Sequence, residues 1–295
     1  MDVLSNDKRW LVILVTLNKV LAPVLTDIAK QGMENLYTYL DNLLNGLSTS
    51  CSLKTLTYAD FCRLTATPSP ASFLKSLNFG NINNNSDVHG KKKKAYNYNV
   101  SSPVDLARLY LPNCLAVFSA FDKSMDMSAT LRLLGRKNYP IQIFFSSDPS
   151  YNIQSLADDV RENVRNRASH FDESHWTQIF FGQCFDKLKK LVQGLPLDVA
   201  KTKELLDQLS KWKTKILINN IRQHHTEHSK DDALIISISL IVEEDVKDLM
   251  AQFQNDKLKA IEEKLEDKPT KEEIEKMIRK LSEFGFAVLS AKLMK

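Results

Sequence analysis

A dense group of cationic and proton-transferring side chains lies between positions 161 and 170 of the sequence. The group comprises three arginines, two asparagines and one histidine: Arg161, Asn163, Arg165, Asn166, Arg167 and His170. Guanidinium groups suit bidentate contacts with phosphate, and histidine can take up or release a proton near neutral pH. Arginines spaced four apart on a helix repel each other mildly, so we expect this helix end to offer its arginines to an anion.

The spacing within this group resembles a known motif. Arg165 is followed by Asn166 and, after three more residues, by His170 at the end of a predicted helix. This pattern resembles the R-x(4–6)-H motif of the HEPN superfamily (higher eukaryotes and prokaryotes nucleotide-binding). The segment DMSATLRLL from Asp126 to Leu134 is also similar to the HEPN domain of the DAZ-interacting zinc-finger ubiquitin ligase type. The resemblance covers roughly residues 8–215 and implies a helical bundle.

The resemblance implies a metal-independent endoribonuclease, or an RNA-binding domain that keeps the fold without activity. In such a reaction the 2′-OH of RNA attacks the adjacent phosphate, which requires proton transfer and a cation that stabilises the added charge. His170 would transfer protons, Arg165 would stabilise charge, and Asn166 would orient the histidine or bind phosphate. Arg161 and Arg167 would position the RNA backbone. Single-stranded RNA is the expected substrate, and a function in defence or immune signalling is implied.

Simpler interpretations stand beside these. The motif can be a solvent-exposed basic helix end with a histidine cap. The run Lys91, Lys92, Lys93 and Lys94 can be a solvated loop tip, a contact for the RNA backbone or a nuclear import signal. His224 and His228, four residues apart, can hold a metal or form a solvated helix end. We expect neither a metal nor a cofactor.

Composition and periodicity predict an all-α fold. The chain has 295 residues, of which 43% are hydrophobic and 26% charged, as in a globular protein with a core. Only 8 glycines and 9 prolines are present, which argues against an all-β fold and against a glycine-rich nucleotide-binding fold. Apolar residues recur at helical spacing. After a first helix that Pro23 kinks or breaks, we expect helices over 33–47, 58–64, 103–121, 126–134, 155–169, 174–191 and 197–222.

The predicted organisation is a helical domain over 1–225, followed by a charged helical tail or hairpin over 226–295. Residues 78–100 are rich in asparagine and lysine, so we expect an exposed loop there. The apolar runs Trp10–Leu17 and Ala233–Val242 are shorter than the roughly 18 residues that span a bilayer. We therefore expect a buried first helix, no membrane contact and a cytoplasmic protein.

The expected partners differ between two functions. An endoribonuclease of this type needs an acid and a base, whereas one motif provides a single histidine. We therefore expect a homodimer or a heterodimer with another HEPN-type chain, paired through the motif helix and the helix at 174–191. The alternative is a non-catalytic adaptor that binds a helical protein partner through 243–293.

Overall fold

The computed structural model describes residues 6–47, 51–66, 70–87, 93–170 and 172–223. The predicted tail at 226–295, its hairpin at 243–293 and the run at 233–242 lie outside the described residues. The same holds for His224, His228, Lys91 and Lys92, so these predictions are not tested.

The described part of the chain is helical and contains no strand, which confirms the all-α class. Its α-helices are α1 (Asn6–Val15), α2 (Ala22–Leu47), α3 (Tyr58–Thr65), α4 (Pro103–Leu109), α5 (Met127–Gly135), α6 (Ile153–Val160), α7 (Asn166–Ser169), α8 (Gln178–Gly194) and α9 (Val199–Gln223). Short 3₁₀ turns connect several of them. Helix α5 packs against α2 and α6, and α8 packs against α1, α6 and α9.

A long N-terminal helix forms the centre of this bundle. Helices α1 and α2 are continuous through a π-helical turn at Thr16–Leu21, so Pro23 neither breaks the helix nor separates a second one. The backbone N–H of Ala22 donates to the carbonyl of Leu17, five residues back. A wide turn of this kind loosens the backbone just before a proline, which has no N–H of its own to donate.

The stretch Trp10–Leu17 lies in a buried part of this helix, as predicted. The whole helix over Lys8–Leu47 is nevertheless long and apolar enough, by length and composition alone, to cross a membrane. Its most apolar window has a mean hydropathy of 1.8, and 56% of that window is buried inside the protein. Both a core helix and a membrane span have this composition.

The helix starts predicted at 103 and 126 are confirmed to within one residue. Ser102 accepts a hydrogen bond from the N–H of Asp105 at the start of α4, and Pro103 occupies the first turn. Asp126 likewise accepts from the N–H of Ser128 at the start of α5. However, α4 ends at Leu109 rather than near 121, because Pro112 disfavours helical backbone before it.

Other helix starts and faces differ from the prediction. Helix α6 begins at Ile153, where Asn152 caps it, and not at 155. Helix α8 begins at Gln178 after Thr177, not near 174. Helical periodicity groups Ile179 with Cys184 and Leu188 as core residues, but Ile179 is 74% exposed, whereas Phe181 is buried. Cys184, Leu188 and Leu191 are buried as that periodicity predicts, so the departure lies in the first turn of α8.

The segment 78–100 differs from the expected exposed loop. Its described parts, 78–87 and 93–100, combine short 3₁₀ turns with irregular backbone, but Phe79, Ile82 and Tyr98 are buried. The side chain of Asn85 donates to the carbonyls of Phe79 (2.7 Å) and Asn97 (2.8 Å) and accepts from the N–H of Asn97 (2.9 Å). Asparagine amides thus replace missing backbone partners, which allows a polar segment to pack.

Replacing Asn85 with alanine should lower the free energy of unfolding by about 2–3 kcal/mol, because it leaves buried backbone groups unpaired. Chemical denaturation would measure this. Asn42→Ala, at an exposed position of α2, is the control and should change stability by less than about 0.5 kcal/mol. Equal effects of the two substitutions would contradict the packed segment.

Two helical glycines should respond to alanine in opposite directions. A Cβ on Gly32 of α2 would overlap the buried ring of Phe144, whereas one on Gly182 of α8 meets nothing within 4 Å. Gly32→Ala should therefore cost about 1–3 kcal/mol of stability, and Gly182→Ala should add up to about 1 kcal/mol. Denaturation midpoints that move in the same direction would contradict the packing of α2 against Phe144.

Candidate functional site

The motif lies on a helix whose middle is widened. A π-helical turn at Arg161–Arg165 joins α6 to α7, and the N–H of Asn166 donates to the carbonyl of Arg161, five residues back. The inward-facing Val164 and Ala168 are fully buried. His170 ends the helix with extended backbone. Single π turns within α-helices occur often at functional sites.

The widened turn separates the two arginines that an α-helix would place on one face. Nη2 of Arg161 lies 2.6 Å from a carboxylate oxygen of Glu162 and 3.4 Å from one of Asp158. Nη2 of Arg165 instead contacts both carboxylate oxygens of Asp126, at 2.9 and 3.0 Å. Both guanidinium groups therefore bind within the protein rather than being offered together to an anion.

The ion pair between Arg165 and Asp126 also connects the two segments on which the family resemblance rests. Asp126 caps α5, so the motif helix is fixed to the start of that helix. The side chains are 25% and 36% exposed, respectively. Solvent at such a site weakens the attraction between the two charges. The main effect of this ion pair is therefore to fix the position of the motif helix against α5.

An open groove of about 340 Å³ lies beside the helix end. It is lined by Glu162, Asn166, Arg167, His170, Asp172 and His175. Of the predicted site residues, the groove therefore collects Asn166, Arg167 and His170, and it leaves out Arg161 and Arg165. The exposed side chains of Arg167 and His170 have no hydrogen-bond or ion-pair partner among the residues that the structure describes.

The two carboxylates in the groove each have their own partner. Glu162 accepts from Nδ2 of Asn166 (3.1 Å) in addition to its contact with Arg161. Nδ1 of His175 lies 3.2 Å from Oδ2 of Asp172. Arg167 is thus the lining cation without a carboxylate partner among the described residues.

Asp172 is a fixed anion. Its Oδ1 accepts from the hydroxyl (2.6 Å) and the N–H (3.0 Å) of Ser174. These bonds, and then the charge of His175, lower the pKa of the Asp172 carboxyl. A carboxyl with a lowered pKa is ionised at neutral pH. The pairing of His175 with Asp172 is not predicted from the sequence, although an Asp-x-Ser-His stretch is a typical tight turn with the aspartate at its start.

The two walls of the groove are attached to the same turn of α1. Nη1 of Arg9 donates to the carbonyl of Trp176 (2.9 Å), beside His175. Nε1 of Trp10 donates to the carbonyl of Ala168 (2.7 Å), two residues before His170. Both side chains are buried.

Two of the predicted lysine contacts, Lys93 and Lys94, are described by the structure and lie far from this groove. Lys93 and Lys94 are exposed, and the carbonyl of Lys93 accepts from the hydroxyl of Tyr98. This segment is fixed to the far end of the long helix, where the hydroxyl of Tyr37 donates to Val100. From Trp10 to Tyr37 the helix advances about 40 Å, at about 1.5 Å per residue. Within one copy, these lysines therefore cannot border the groove.

No family model, curated protein or solved structure matches this chain. The HEPN resemblance therefore stays a prediction. Among the described residues, no three His, Cys, Asp or Glu side chains are grouped as metal ligands.

A double-mutant cycle tests the ion pair that fixes the motif helix. Asp126→Asn keeps a capping residue, Arg165→Met keeps side-chain length, and the coupling between them should be about 0.5–1 kcal/mol. The Asp60–Arg63 pair, which lies within one turn of α3, should couple by about 0.3–0.5 kcal/mol and serves as control. Zero coupling between positions 126 and 165 in urea denaturation would contradict the contact.

Proposed function

We propose that this chain is a cytoplasmic, metal-independent endoribonuclease that binds single-stranded RNA in the groove. The observation that supports this most directly is the exposed His170 beside Arg167 and Asn166. These three side chains combine a proton-transfer group, a phosphate-binding cation and a polar amide in one open site. The family resemblance supports the same reaction.

The proposed roles differ from those that the resemblance implied. Arg167 lines the groove, so it takes the phosphate contact and the stabilisation of added charge. Arg165 positions the helix end through Asp126. His170 takes the proton from the 2′-OH, and Asn166, which Glu162 holds, donates to a phosphate oxygen or to the ribose. The products are a 2′,3′-cyclic phosphate and a 5′-hydroxyl.

The charge of the groove favours a single phosphate over a long anionic surface. Glu162 and Asp172 are acidic, but Arg161 and His175 lie against them. This leaves the positive charge near Arg167, where it can select one phosphate at the cleavage position. The remaining RNA then depends on weaker contacts outside the groove.

His170→Ala should reduce cleavage of an unstructured RNA by about 10²–10⁴-fold, the usual range for loss of an acid–base group. Cleavage by the wild type should be unchanged by a chelator, and the products should carry a cyclic phosphate. Equal rates for wild type and variant, or activity lost to the chelator, would overturn the proposed function.

Arg167→Gln should weaken RNA binding and make its salt dependence less steep. For one lost phosphate contact, the slope of log K against log salt concentration should fall by about 0.7. Arg132→Gln, on the exposed side of α5, is the matched control and should leave the slope unchanged. Fluorescence anisotropy over a salt series measures both. Identical slopes for the two variants would exclude Arg167 as the phosphate contact.

A further inference from the structure

We infer that His175, held by Asp172, is a second proton-transfer residue in the same groove as His170. One chain would then supply both the base and the acid of RNA cleavage. This inference rests on the proposed function, because it names the group that protonates the leaving oxygen.

Three observations place His175 in this role. It lines the same groove of about 340 Å³ as His170, and its side chain is 53% exposed. Its Nδ1 is 3.2 Å from Asp172, and a carboxylate there favours a proton on that nitrogen and leaves Nε2 for a ligand. Asp172 is itself fixed by two hydrogen bonds from Ser174. The arrangement of an imidazole oriented by a carboxylate is the one that acid–base catalysis uses.

The reaction balances with these groups alone. His170 accepts the proton of the 2′-OH while the 2′-oxygen forms its bond to phosphorus. The bond between phosphorus and the 5′-oxygen breaks, and protonated His175 donates its Nε2 proton to that oxygen. Nothing is oxidised or reduced. Exchange with water then removes a proton from His170 and returns one to His175, which restores both residues for the next cycle.

With two histidines in one groove, a dimer is no longer needed to supply both an acid and a base. The expected dimer followed from the single histidine of the motif, since cleavage needs an acid and a base. With His175 in the groove, that chemical requirement is met without a second copy. The rate per chain should therefore stay constant on dilution.

A substrate with a better leaving group separates the two histidines. In this substrate, sulfur replaces the 5′-oxygen at the cleavage position, so the leaving group departs as a thiolate. A thiolate needs little protonation, because a thiol is far more acidic than an alcohol. With natural RNA, His175→Ala should lose about 10²–10⁴-fold in rate. With the sulfur-substituted RNA, it should cleave within about tenfold of the wild type. His170→Ala should remain slow on both substrates.

Asp172→Asn tests the positioning role of the carboxylate, with Asp148→Asn as the matched control. Both aspartates accept the N–H of a serine two residues on, but Asp172 also contacts a histidine. Asp172→Asn should slow cleavage of natural RNA by about tenfold or more and lose that defect with the sulfur-substituted RNA. Asp148→Asn should match the wild type on both.

Each outcome bears on one proposal or the other. If the wild type cleaves and His170→Ala does not, while His175→Ala matches the wild type on natural RNA, His175 is not the acid and only this inference is overturned. An equal defect of His175→Ala on both substrates also overturns it, because the residue then acts in binding or folding. A wild type that cleaves neither substrate overturns the proposed function and this inference with it.

Discussion

Two neighbouring side chains on the first helix determine the separation of the groove walls. Arg9 and Trp10 donate to backbone carbonyls of Trp176 and Ala168, which lie more than 150 residues away in sequence. The walls themselves are weak elements, since α7 has four residues and the turn at Glu173–His175 has three. Helices this short have little stability of their own. Their geometry depends on the long, buried helix to which they are attached.

This attachment requires the burial of a charged group. Arg9 is 3% exposed, and burial lowers its pKa. Removal of a guanidinium from water is costly unless its N–H groups are hydrogen-bonded. Nε of Arg9 donates to Gln178 (3.2 Å), and Nη1 donates to Asn6 and Trp176. These bonds offset part of the cost, since Nη2 of Arg9 is buried without a hydrogen-bond partner among the described residues. They also specify one position for the start of α8, the element that follows His175.

The helix starts predicted correctly from the sequence are those that neighbouring residues determine. Ser102 and Asp126 cap their helices through residues two or three positions on. Asn166, Arg167 and His170 fall together in the groove because they are close in sequence. The burial of Asn85 and the π turn at Arg161–Arg165 depend instead on tertiary contacts. Local periodicity contains no information about such contacts. The pairing of Arg165 with Asp126, 39 residues apart in sequence, is also a tertiary contact and is not predicted for the same reason.

The π turn at Arg161–Arg165 gives the arginines of the basic motif different surroundings. In a regular α-helix, arginines at 161 and 165 would lie one above the other, and their repulsion would favour an external anion. Here the π turn separates the two side chains, and Arg161 pairs with Glu162 while Arg165 pairs with Asp126, so each charge has a carboxylate partner in the same chain. Arg167 is then the motif arginine left to meet a ligand. Under the proposed function, this uniformly basic motif therefore has two positioning residues and one binding residue, and only the folded backbone distinguishes them.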